Sequence, residues 1–84
     1  MKITGIASKP TEPRTIKWTD KSTGQDRTAE VLETTVLDDT VGETFRCTDW
    51  NKDGPRYEKG QSVERDVKDV RAFGNPATIT LTLT

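Results

Sequence analysis

Three stretches of this chain interleave basic and aromatic side chains. Arg14, Lys17, Trp18, Lys21 and Arg27 put four cations and one indole within 14 residues, diluted nearby by Glu12, Asp20 and Asp26. Arg46, Trp50, Lys52, Arg56, Tyr57 and Lys59 form a second group, and Arg71 with Phe73 a third. Cations can follow a phosphate backbone while aromatic faces stack on bases, at about 1–3 kcal/mol for each stacked base. Trp18 and Trp50 could equally serve a small core, whereas Tyr57 and Phe73 fall in expected loops, where exposure is the rule. Arg65, Asp66, Lys68 and Asp69 mix both signs and read as a solvated strand face.

Other chemistry finds little support. With no histidine, a serine or the single cysteine, Cys47, would need a lysine or carboxylate to activate it, and no G-x-S-x-G segment occurs. The expectation is a non-enzyme with no cofactor and no small-molecule substrate. Asp49-Trp50-Asn51-Lys52-Asp53-Gly54 matches the first half of a calcium loop, but the twelfth position, where a bidentate Glu belongs, is Gly60. A polar turn closed by glycine is the simpler reading, and no metal is expected.

Elements that could position the basic and aromatic groups must be short. The chain has 84 residues, 30% apolar and 32% charged, with a net charge of −1. A domain of this size buries only about 60–65% of its unfolded surface, so the core is thin and oligomerisation is the expected support. There is no global basic field, so any polyanion site must be local. Cys47 is expected to be a reduced, half-buried small hydrophobe. The N-terminal residues lack the apolar run of a secretory signal, and no segment is long and apolar enough for a membrane, which points to a cytoplasmic protein.

The period-two alternation of Ala77, Ile79, Leu81 and Leu83 with threonines predicts a strand with one buried face, after a Gly74-Asn75-Pro76 turn. Arg27 to Leu37 predicts a strand whose apolar residues change parity, requiring a bulge or bend. Asp38 to Gly42 reads as a turn and Glu43 to Trp50 as the returning strand. Lys2 to Ala7 and Arg14 to Trp18 read as one strand broken by a bend at Pro10 and Pro13, and Lys21 to Gln25 as a hairpin tip. Gln61 to Phe73 is open: Val63, Val67 and Val70 fit a helix face over 62–72, while valine content favours a strand. The sum is one all-β domain over residues 1–84, a small five-stranded, OB-like antiparallel barrel.

The order and spacing of these features resemble the helix-destabilising, single-stranded-DNA-binding proteins of filamentous bacteriophages. The likeness is carried by the basic hairpin Trp18 to Arg27, the Val and Leu strand ending at Leu37-Asp38, the segment Asp53-Gly54-Pro55-Arg56-Tyr57-Glu58-Lys59-Gly60, the valines at 63 and 67, and the tip Phe73-Gly74 before the last strand. Tyr57 is the only tyrosine, fewer than the family pattern. The resemblance implies a homodimer that coats single-stranded DNA in the host cytoplasm during replication. It also implies a wing carrying Arg14, Lys17, Lys21 and Arg27 near phosphates, and Phe73 stacking from the last hairpin, which also joins the dimer. With Trp18, Arg46, Arg56 and Tyr57 these make up the expected site. A protein-interaction or structural module, and a binder of structured RNA, are the alternatives.

Overall fold

The computed structural model of the chain describes residues 1–73 and 78–84, which form strands, turns and loops with no helix. The strands are β1 (Lys2–Ala7), β2 (Glu12–Thr19), β3 (Asp26–Asp38), β4 (Thr44–Asp49), β5 (Ser62–Phe73) and β6 (Thr78–Leu83). They hydrogen-bond in the order β1-β5-β6-β4-β3-β2, and a further pairing of β1 with β3 closes the sheet into a ring. Five strands make that ring, and β2 hangs outside it, paired to β3 alone. All pairings are antiparallel except β4 with β6, which is parallel. The all-β, barrel-like architecture is the one expected. The strand total is six because β1 and β2 are separate.

They are nonetheless one line of chain along β3. Ala7 lies opposite Val36 and Glu12 opposite Glu33, so four residues, Ser8 to Thr11, face the two residues Thr34 and Thr35. The surplus bulges outward, pinned by Ser8 N–H donating to Thr35 O at 2.8 Å and by a 2.7 Å contact between the Thr11 and Thr34 hydroxyls. Pro10 has no N–H to offer the ladder, and Pro13 is accommodated because β2 is an edge strand.

The ring interior is mainly apolar, although Asp38 and Asp49 are also buried. Ile3 and Ala7, Val36, Cys47, Val63 and Val67, Leu81 and Leu83 form one buried cluster, with Phe45 and Tyr57 packed against it. Each ring strand contributes, and β2 contributes nothing to it among the described residues. The alternation expected for the last strand is present at Leu81 and Leu83, whereas Ile79 is exposed at the ring's end. The Gly74 to Pro76 turn and Ala77 lie outside the described residues.

Two departures from strict period two have local causes. In β3, Val31 and Leu32 are both buried although they face opposite ways. Here β2 and β4 pair with Leu32 and Glu33 on opposite edges of β3 and both ladders stay in register, so no bulge is present and Val31 is buried on the outer face, opposite Arg14. In β5 a bulge does occur: Val67 pairs with Leu83 and Asp69 with Thr82, leaving Lys68 as the extra residue. That insertion turns Val70 to the same side as Val63 and Val67. A bulged strand thus imitates the i, i+4, i+7 spacing of a helix, and residues 62–72 are strand, not helix.

Closure depends on Gly5, which pairs with Asp38 of β3 and Val63 of β5. A side chain at this position would collide with the Leu37 carbonyl. Only glycine lets the two backbones approach so closely.

Candidate nucleic-acid interface

Cross-strand partners in a sheet share a face, and this rule assembles the site. Across the β2–β3 wing Arg14 opposes Val31, Ile16 opposes Ala29 and Trp18 opposes Arg27. On the ring Thr35 opposes Arg46, Arg46 opposes Thr80, and Thr80 opposes Arg71. Arg14, Trp18, Arg27, Arg46 and Arg71 therefore all lie on the outer face, the side away from the buried cluster. All five belong to the basic and aromatic stretches of the sequence, and all but Arg71 to the expected site. The register brings them onto one surface.

Each of these arginines already has a carboxylate. Glu33 holds two, with Arg14 Nε at 3.1 Å and Arg46 Nε at 3.5 Å. Arg27 Nε lies 3.0 Å from Asp20, and Arg71 Nε 2.8 Å from Asp69. The Arg71 contact holds the Asp69 carboxyl below its usual range, helped by the Val70 amide against the smaller opposing effect of desolvation. The guanidinium side of each pair is open to solvent, where ion pairs stabilise little. They orient the guanidinium groups yet leave them exchangeable for a phosphate.

Both tryptophans are at the surface, Trp18 40% and Trp50 48% exposed. Their rings meet edge to face, with centroids 5.9 Å apart and planes at 76°, a favoured aromatic geometry. Trp50 also lines a groove of about 410 Å³ between the wing and the β5–β6 pair, together with Ile16, Thr48, Thr82, Asp69 and Arg71. Lys68 joins that lining, so two residues that composition alone assigned to a solvated face stand beside the site. The bulge at Lys68 is what re-aims this stretch, and no local sequence signal announces it.

The remaining expected residues are scattered. Lys17 opposes Thr28 on the other face of the wing. Lys21 is exposed at the wing tip, which is shaped by Asp20 Oδ1 accepting from Ser22 N–H at 2.8 Å and by Gly24 at a φ of 71°. Arg56 is exposed in the loop after β4. Lys17, Lys21 and Arg56 form no salt bridge among the described residues. Tyr57 is half-buried against the core instead of exposed. Its amide donates to Thr11 Oγ1 at 2.8 Å and its carbonyl accepts from Thr11 N–H at 2.9 Å, which draws the loop into the β1–β2 break. The stacking role expected of the Phe73 side chain lies outside the described residues.

Asp49 is occupied with its own fold. Its Oδ1 accepts from Asn51 N–H at 2.9 Å, and its Oδ2 pairs with Arg65 Nη2 at 3.0 Å, both side chains being largely buried. Arg65 Nη2 also donates to Thr84 O at 2.9 Å. Burial works against the Arg65 charge, but Tyr57 and Asp49 beside it more than offset that and keep it a cation. The half calcium motif thus serves an ion pair and an Asx turn. No cluster of three or more metal-ligating side chains occurs among the described residues. Cys47 is fully buried instead of half-buried, and desolvation pushes its thiol up to about 12. In comparisons with protein-family models, curated proteins and solved structures, nothing matches the chain.

Proposed function

We propose that this protein binds single-stranded DNA with no strong sequence preference, as a helix-destabilising, strand-protecting replication protein that acts without catalysis. The observation that carries the reading is the outer face itself, where arginines from β2, β3, β4 and β5 share one surface with two exposed, mutually braced indoles. Arginine donors suit phosphate oxygens, and indole faces accept any base. Sequence independence follows because neither interaction reads a base edge.

Binding exchanges each arginine's carboxylate for a phosphate, so it must weaken with salt at a slope near −0.7 per phosphate neutralised. Titrating intrinsic tryptophan fluorescence with oligo-dT at low and high ionic strength tests this directly. Saturable quenching that salt reverses is the expected result. An unchanged signal at low salt with folded protein at micromolar concentration overturns the reading, and preference for a folded RNA of equal length would redirect it to RNA.

The functional unit in this reading is a homodimer in the cytoplasm. Among the described residues only ten apolar side chains are buried, while Met1, Val41, Val70 and Ile79 are exposed around one open end of the ring. A second copy covering that end would enlarge a thin core. The same apolar end favours the second reading, a protein-interaction module, in which a different protein takes that place. Sedimentation equilibrium of the isolated chain separates the two: a dimer at micromolar concentration supports the first, a monomer with no DNA affinity the second.

A further inference from the structure

The parallel register of β4 and β6 sets Thr48 opposite Thr82, and the β5–β6 register sets Asp69 opposite Thr82 and Arg71 opposite Thr80. Leu81 and Leu83 point into the ring, so the threonines form the floor of the outer groove. Trp50 rises on one side just after β4, and Arg71 on the other. The edge-to-face contact with Trp18 covers at most one face of either indole, and almost half of Trp50 is open. At about 410 Å³ the groove is at the small end of the range for ligand pockets. A single nucleotide has the matching chemistry: a flat base, polar edges and one phosphate.

We infer that this groove seats one nucleotide of the bound strand, with its base against Trp50 and its phosphate on Arg71. The inference rests on the single-stranded DNA reading and adds a defined subsite beyond the wing. Hydroxyl groups can donate or accept, so a threonine floor serves the edge of any of the four bases. Among the described residues Arg71 uses only Nε on Asp69, which leaves the rest of its guanidinium for the phosphate. The seat joins elements far apart in the chain, Ile16 and Trp50 on one side and β5 on the other.

The test uses the full chain labelled with 5-fluorotryptophan, whose two 19F resonances are assigned with Trp18→Phe and Trp50→Phe. Saturating oligo-dT is expected to shift the Trp50 resonance. Trp50→Ala should lower affinity about tenfold or more by oligonucleotide anisotropy, and Trp50→Phe should restore most of it. Arg71→Ala should reduce the salt slope by about 0.7. Wild-type binding with an unmoved Trp50 resonance, or wild-type affinity in a folded Trp50→Ala, overturns the seat and leaves the DNA reading standing. Failure of the wild-type chain to bind at low salt removes both.

Discussion

The ring and the wing are built to opposite rules. The ring strands turn alternate side chains into a shared apolar interior, so each position is constrained by several neighbours. In β2 only Ile16 is even partly buried, and every other residue of that strand is exposed. Stability therefore resides in the ring, and the wing is free to carry charge. The separation allows a binding surface to change without disturbing the fold, and each of the following experiments breaks or sharpens it.

The largest effect is expected from reversing the wing charges. Arg14, Lys17, Lys21 and Arg27 all changed to Glu should lower oligonucleotide affinity at least a thousandfold at low salt, about 4 kcal/mol. Thermal unfolding should shift by only a few degrees, because these side chains are exposed. A cooperative loss of folding in this variant would break the division. In the ring, Asp49→Ala leaves the Arg65 guanidinium without its carboxylate and should cost about 3 kcal/mol in urea unfolding. Gly5→Ala forces β1 away from the Leu37 carbonyl and should cost about 2 kcal/mol, lowering the melting temperature by about 8–16 °C.

Two smaller effects sharpen the contrast. Glu33→Gln releases Arg14 and Arg46 from a shared carboxylate, and affinity for oligo-dT should rise severalfold with a steeper salt dependence. A fall in affinity would mean that the pairs position the arginines more than they compete for them. For Cys47 the folded-state pKa is raised, so the unfolded chain loses the thiol proton first as pH rises. Stability is unaffected by this group below about pH 9 and declines progressively toward about pH 12. Measured by denaturant unfolding, the alkaline decline should be shallower in Cys47→Ala than in the wild type, and the native thiol should resist alkylation until the protein unfolds.

Legibility from the sequence divides along the same line. The wing, the Asp38 to Gly42 turn and the last strand could be read because their causes are local: a glycine-bearing polar tip, an Asx turn in which Asp38 Oδ1 accepts from Thr40 N–H at 2.8 Å, and strict alternation. The change of parity in β3 was visible too, but it comes from burial on both faces and not from a bulge. The nature of residues 62–72 could not, because a single extra residue at Lys68 converts strand periodicity into a helical one. The candidate site was half legible. Basic segments marked the arginines, yet their meeting on one face depends on pairings between distant strands. A loop position predicts exposure for Tyr57, but two backbone-anchored hydrogen bonds to Thr11 pull it inward against the ring. Nothing local distinguishes Trp50, Asp69 and Arg71 as neighbours.

The place of β6 between β4 and β5 has a consequence for biosynthesis. The wing and β4 form a meander that can assemble as soon as it leaves the ribosome, each strand pairing with the one before it. The ring itself cannot close at that stage, because the gap between β4 and β5 is filled only by the strand made after both. A nascent chain stalled before Thr78 exposes two open sheet edges at once, the arrangement most prone to pairing with other chains. Truncation within β6 should therefore be seen first as aggregation in the cell, and only secondarily as lost affinity.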